Sequence, residues 1–262
     1  TDITVTKVWD DGDAVVTDHP DVSITLKRTV GETEETISTQ TITDEENLTL
    51  TWPQMPQQYS YSVEESPVYG YDAAVTGDKI NGFTVTNTKR ATGTLTITKE
   101  VEGADAAKDK TYVILLTPEG FTQNETRYEL KPTNGSDSIE IDDLPIGRYT
   151  VTEVLTDADI EDYDRVTTIS DGTTTNEYTS PASQEVVIVE GENAVTVTNK
   201  YTLKTEPVAI KKVDQGHKET ILSGAEFTMT HSDGTAYTLT STDGVFYAKD
   251  SAGETVEELP VG

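Results

Sequence analysis

The chain has 262 residues, 34% of them hydrophobic, and its 48 acidic against 19 basic side chains give a formal net charge of -29. That charge repels nucleic acid and anionic membranes, so neither is expected as a partner. With no cysteine, disulfides, thiol catalysis and cysteine zinc sites are excluded. Thr, Val, Tyr and Ile are abundant, Gly, Pro, Asp and Asn punctuate the chain, and no long helical period occurs, which is an all-β composition. The length predicts two or three domains of ordinary size, each a small sandwich whose strands bury one face.

In chain order, a first unit spans residues 1–90. It opens on Ile3-Thr4-Val5-Thr6-Lys7, followed by Val8-Trp9 and the acidic loop Asp10-Asp11-Gly12-Asp13. Alternation predicts strands over Val22–Leu26, Leu48–Trp52, Tyr61–Glu65 and Phe83–Asn87, with a turn-rich stretch around Pro67 and Gly70. A second unit spans 91–203. It opens on Leu95-Thr96-Ile97-Thr98-Lys99 and continues with the apolar run Tyr112–Leu116. A turn at Leu144-Pro145-Ile146-Gly147 leads into Tyr149–Glu153. A polar stretch follows, with Asp157 to Asp164 rich in acid, then strands at Val186–Val189 and Val195–Asn199.

A third unit spans 204–262, opening on Val208-Ala209-Ile210-Lys211-Lys212 and carrying a hairpin of Tyr237–Leu239 with Val245–Tyr247. Leu259-Pro260-Val261-Gly262 parallels the Leu144–Gly147 turn, and there the chain stops. The expectation is a fragment whose third domain is completed by the remainder of the parent chain. The joints at Thr88–Gly93 and Tyr201–Pro207 are short and not Gly/Ser-rich, which favours an elongated, semi-rigid rod. No secretion signal, membrane-spanning run or anchor is recognised in the sequence.

The first two units share three polar marks. Lys7 and Lys99 end the apolar face of an opening strand; burying an ammonium there is costly. Glu65 and Glu153 lie in Tyr-x-Val-x-Glu strands, where alternation favours Glu65 over its neighbour Glu64. Asn87 and Asn199 end the apolar face of the closing strands. If each trio converges away from water, desolvation lowers the lysine pKa and raises that of the glutamate, so that a proton passes from ammonium to carboxylate. The neutral amine is then a nucleophile beside a carboxamide. The protonated Glu would polarise the Asn carbonyl and assist loss of ammonia, and fixed proximity makes the amide a feasible target. The product is a Lys–Asn isopeptide bond, made once, so the chain is its own substrate and not a turnover enzyme. The alternatives are a buried salt bridge beside an amide, or edge residues that snorkel to water. In the third unit Lys212, in phase with Val208 and Ile210 and preferred over Lys211, is the corresponding inward lysine, left without a partner.

V-T-K-V-W-D-D, Y-x-V-x-E and G-F-T-V-T-N-T in the first unit resemble the B-type repeats of collagen-adhesin-like surface proteins of Gram-positive bacteria, the CnaB domains. L-T-I-T-K, L-P-I-G-R-Y-T-V-T-E and V-T-V-T-N-K extend the resemblance to the second unit, and I-K-K-V-D with L-S-G-A-E-F to a pilin-like variant in the third. The resemblance implies immunoglobulin-like β-sandwiches with adjacent first and last strands, cross-linked Lys to Asn with Glu as catalytic acid. It also implies a stalk or pilus role outside the cell, attached to the wall in the parent protein. No sortase L-P-x-T-G signal and no pilin polymerisation motif occur, which favours an adhesin stalk over a repeating pilus subunit.

No cofactor or metal is expected. Asp10, Asp11 and Asp13 do not fit EF-hand spacing and read as a solvated loop, as does the Asp157–Asp164 run. His19, His217 and His231 form no ligand or triad spacing and receive no role; Trp9 and Trp52 read as packing residues. Two other functions compete with the stalk. One is a binding module for a host matrix protein or glycan, a partner also compatible with regions outside this fragment. The other is an accessory sandwich of a secreted carbohydrate-active enzyme.

Overall fold

A computed structural model describes the chain except residues 44–46, 155–157, 179–181, 209, 223, 232–233, 242–244, 257 and 261–262. In the first unit the strands are β1 (Ile3–Asp10), β2 (Val22–Val30), β3 (Thr33–Ile42), β4 (Thr49–Trp52), β5 (Ser60–Glu65), β6 (Tyr71–Asp78) and β7 (Gly82–Lys89). One sheet has the order β4-β1-β7-β6, the other β3-β2-β5. Their inner faces share one core: Ile3, Val5, Phe83 and Val85 from the first meet Val22, Ile24, Leu26 and Val63 from the second. The first and last strands lie side by side in parallel, with Lys7 opposite Val85.

The second unit repeats this plan with more strands: β8 (Thr92–Glu102), β9 (Tyr112–Pro118), β10 (Thr126–Leu130), β11 (Ser136–Pro145), β12 (Gly147–Val154), β13 (Tyr163–Ser170), β14 (Thr175–Tyr178), β15 (Ala182–Ile188) and β16 (Gly191–Leu203). A short helix, α1 (Asp105–Lys108), follows β8. The sheets are β10-β9-β12-β15 and β11-β8-β16-β13-β14. Leu95, Ile97, Val195 and Val197 from one sheet pack on Ile114, Leu116, Val151 and Val186 from the other. Again first and last strands are parallel neighbours, with Lys99 opposite Val197.

The third unit contains β17 (Thr205–Glu206), β18 (Ile210–Lys211), β19 (Glu226–Thr230), β20 (Ala236–Ser241), β21 (Val245–Lys249), β22 (Thr255–Val256) and β23 (Leu259–Pro260). β20 and β21 pair antiparallel, and β17 pairs with β23. The fold class is the expected one, all-β sandwiches in tandem. Ala209, Ser223, Val261 and Gly262, which belong to the motifs quoted for this unit, lie outside the described residues, as does Asp157 of the acidic run.

Several local expectations are corrected. Leu144 and Pro145 are not a turn: they complete β11, opposite Gly93 and Thr92, after a register shift that follows Ile141. Asp143 takes up that shift at a positive φ of 57°. Tyr163–Ser170, read as part of a polar stretch, is an inner strand of its sheet, between β16 and β14. β3 and β6 also went unseen; both are mostly exposed edge strands that carry no apolar alternation.

The two complete units meet at a packed joint. Tyr69 packs on the core of the second unit and its hydroxyl lies 3.0 Å from that of Tyr149. Gly70, at φ +82°, sits so close to Pro145 that an added Cβ would lie 3.3 Å from its Cγ. Only residues 90 and 91 separate β7 from β8, and their backbone is bonded on both sides: Arg90 N–H donates to Gly70 O, and Ala91 O accepts from Ile146 N–H.

Candidate functional site

In each of the first two units the opening and closing strands lie next to each other in one sheet, while the glutamate strand belongs to the sheet across the core. The parallel register sets the lysine opposite a valine and the asparagine two residues further on, in both units alike. Period-two alternation then turns Lys and Asn to the same inner face, toward the glutamate.

In the second unit Lys99, Glu153 and Asn199 are all buried, with exposures of 0%, 1% and 0%. Lys99 Nζ lies 3.1 Å from Glu153 Oε1 and donates to Val197 O at 3.2 Å. Asn199 Nδ2 donates to the same Glu153 Oε1 at 2.9 Å. One carboxylate oxygen therefore holds both the amine and the carboxamide. Burial lowers the Lys99 ammonium to about 8; the Glu153 charge opposes this shift, and Arg165 adds to it.

The first unit has the same arrangement, more loosely held. Lys7 is buried, Asn87 is fully buried and the Glu65 side chain is 1% exposed. Glu65 Oε1 stands 3.6 Å from Lys7 Nζ. Both Glu65 oxygens and both polar atoms of the Asn87 side chain lack a hydrogen-bond partner among the described residues. Burial pushes Lys7 down and Glu65 up, each against the attraction of the other. Glu64 points outward and pairs with Lys27, as alternation requires.

Lys212 is placed differently from its expectation. It lies just past β18 and is exposed, as is Val208. β18 is only two residues long and pairs on one side with β21, so no second sheet is laid over this lysine among the described residues. Without a covering layer, nothing compensates for desolvating the amine, and it stays in water.

Trp9 packs on the first core, as read from the sequence; that aromatic rings cover both lysines was not foreseen. Trp9 lies over Lys7 Nζ at 4.0 Å, and Tyr112 over Lys99 Nζ at 4.8 Å. His19 stacks on Trp9 at 4.3 Å and bonds Asp11 at 2.9 Å, while the Tyr71 hydroxyl donates to Asp11 at 2.7 Å. His19 and Asp11 thus pack around Trp9, the ring over the first lysine, so Asp11 is half-buried where a solvated loop was expected, while Asp10 and Asp13 are exposed. The Tyr112 hydroxyl donates to Ala107 O. Also missed was Thr167, fully buried, whose hydroxyl donates to Asn199 Oδ1 at 2.8 Å. Among the described residues, no cluster of three or more His, Asp or Glu could hold a metal ion, and no helix is long and apolar enough to cross a membrane.

Parallel first and last strands, with an inward Lys–Glu–Asn trio in each complete unit, define a class of tandem β-sandwich domains. Residues 3–88 match the Cna protein B-type domain, and the chain carries a domain of that family there. Residues 95–202 match a domain of unknown function, DUF5979. Among solved structures the chain is similar to the major pilin from Streptococcus pyogenes, at 17% identity over 76% of this chain and 98% of that one, TM-score 0.34. It is similar to a single B repeat unit of the collagen binding surface protein of Staphylococcus aureus, at 22% identity over 77% and 98%, TM-score 0.29. It is also similar to the Bacillus anthracis TIE protein, at 18% identity over 99% of this chain and 49% of that one, TM-score 0.38. No curated protein matches the chain.

Proposed function

We propose that this chain is the stalk of a Gram-positive cell-surface adhesin or pilus-associated protein, stiffened by self-formed isopeptide bonds Lys7–Asn87 and Lys99–Asn199. Its units are residues 1–90, 91–203 and 204–262. The stalk stands outside the cell, attached to the wall through the parent protein, and holds a region that binds a host matrix protein or glycan away from the surface. The observation that carries this reading is the single Glu153 oxygen in contact with both the Lys99 amine and the Asn199 amide nitrogen, in a core that excludes water.

The chemistry follows from that contact. The Lys99 ammonium gives one proton to Glu153, leaving a neutral amine and a neutral acid. The amine nitrogen attacks Asn199 Cγ and forms the new C–N bond. Glu153 protonates the departing Nδ2 and takes back the proton the attacking nitrogen sheds; the old C–N bond breaks and ammonia leaves. Glu65 performs the same exchange between Lys7 and Asn87. No oxidant, metal or cofactor enters the balance.

Intact-mass spectrometry of the full chain tests this. The expected result is a mass two ammonia molecules below that of the sequence, with peptide mapping that joins Lys7 to Asn87 and Lys99 to Asn199. Glu153→Ala should leave the second pair unjoined and the first intact. A chain at its full sequence mass rejects the reading.

A further inference from the structure

The buried Thr167 stands at the one atom of the reacting amide that Glu153 does not hold. β13 pairs antiparallel with β16 so that Thr167 lies directly opposite Asn199, with both side chains on the inner face. The amide turns its NH2 to Glu153 Oε1 and its Oδ1 to Thr167. The Thr167 hydroxyl has a single proton. Its contact with Asn199 Oδ1 is 2.8 Å and that with Glu153 Oε2 is 3.3 Å, so the carbonyl is the better acceptor.

Arg165, two residues earlier on the same face, donates from Nη1 to Thr167 Oγ1 at 2.5 Å. Its side chain is 5% exposed and is anchored by Asp159, whose Oδ1 accepts from Nη2 at 3.1 Å and from Nε at 3.2 Å. A guanidinium donating into a hydroxyl withdraws electron density from it and strengthens the hydroxyl as a donor to the next group.

Resting on the isopeptide reading above, we infer that Thr167 is a catalytic residue of the second unit. It stabilises the negative charge that develops on Asn199 Oδ1 as the amine attacks, and Arg165 positions and polarises it. The labour is then divided between two residues. Glu153 moves protons at the two nitrogens, and Thr167 holds the oxygen in a site already free of water, where such donors count most. The first unit lacks this device. Its register sets Ala73 opposite Asn87, where Thr167 stands in the second, and a methyl group donates nothing; Asn87 Oδ1 is without a hydrogen-bond partner among the described residues. One chain thus holds a site with the donor and a natural control without it.

The test follows the two bonds in the same molecule. The full chain is made by cell-free synthesis as a short pulse, quenched in acid at intervals, digested, and scored for the Lys99–Asn199 and Lys7–Asn87 peptides. Thr167→Val keeps the branched shape and removes the hydroxyl. It should slow closure of the second bond about 100-fold, in line with the loss of one oxyanion donor, with the first bond unchanged. Thr167→Ser should restore most of the rate. Arg165→Gln should fall between wild type and Thr167→Val. To separate chemistry from folding, Lys99→Ala/Thr167→Val is compared with Lys99→Ala by denaturant unfolding; both should fold cooperatively, the double variant at a lower midpoint because valine leaves Asn199 Oδ1 without its donor. If the valine variant does not fold, the Ser and Gln variants carry the test.

Closure at the wild-type rate in Thr167→Val, or in Arg165→Gln where the valine variant does not fold, overturns the role of Thr167. A slow Thr167→Ser assigns Thr167 to packing and overturns it equally. If the wild-type second unit never loses ammonia, the isopeptide reading itself has failed, which is a different result.

Discussion

Lys99 shows at the residue scale how a fold stores reactivity. Its ammonium titrates near 8 in the folded chain against an ordinary value of 10.5, chiefly because burial strips its water. The folded value is the depressed one, so between about pH 8 and 10.5 the unfolded chain binds the extra proton. Stability of the unbonded unit therefore rises with pH through that window, and below pH 8 this group adds no slope. Asn199→Ala keeps the lysine and cannot form the bond. Compared with Lys99→Met/Asn199→Ala by denaturant unfolding, it should gain stability from pH 8 to 10 by at most about 1.4 kcal/mol per unit. A flat difference would show that the amine remains protonated in the core.

At the element scale the site is a matter of register. Parallel pairing of β8 with β16 sets Val197 opposite Lys99 and Asn199 two residues on, and β1 with β7 repeats the offset with Val85 and Asn87. A shift of one residue turns a side chain to the opposite face of its sheet. The double change Thr198→Asn/Asn199→Thr moves the carboxamide outward, where the Thr198 hydroxyl now donates to Glu100. It should abolish the second cross-link with the chain otherwise folded, read as one retained ammonia in the intact mass.

The inward Lys, Glu and Asn were legible because each ends a run of alternating apolar residues, and alternation belongs to the local chain. β13 was not legible. Its inner face carries Arg165 and Thr167 before Ile169, so the strand that completes the site has too few apolar residues to show its period. His19 gave no signal either, since its stack on Trp9 depends on a loop folding back over β1.

At the scale of the molecule, a tie between the first and last strands of a unit closes a loop of nearly the whole domain. A link across roughly 100 residues removes about 4–5 kcal/mol of unfolded-chain entropy by the loop-closure model. Asn199→Ala should therefore lower the melting temperature of the second unit by roughly 20 °C in calorimetry, with the first-unit transition in place. An unchanged transition would mean that no tie constrains the unfolded chain. Between the units, Tyr69 on Tyr149 and Phe121, with Gly70 against Pro145, packs a joint that the short linker sequence only implied.

Alternation and composition by themselves determined that the chain is all-β, that its opening motif recurs, and that Lys7, Glu65, Asn87, Lys99, Glu153 and Asn199 face inward, since these depend on each strand's own period. Which strands become neighbours, and what covers a face, was decided only by tertiary structure. Pairing of β13 with β16 brought Thr167 to Asn199, and Lys212, over which no second layer lies among the described residues, stays exposed despite its favourable phase. The physical reason is that burial is a property of two surfaces in contact, and a strand's sequence describes only one of them.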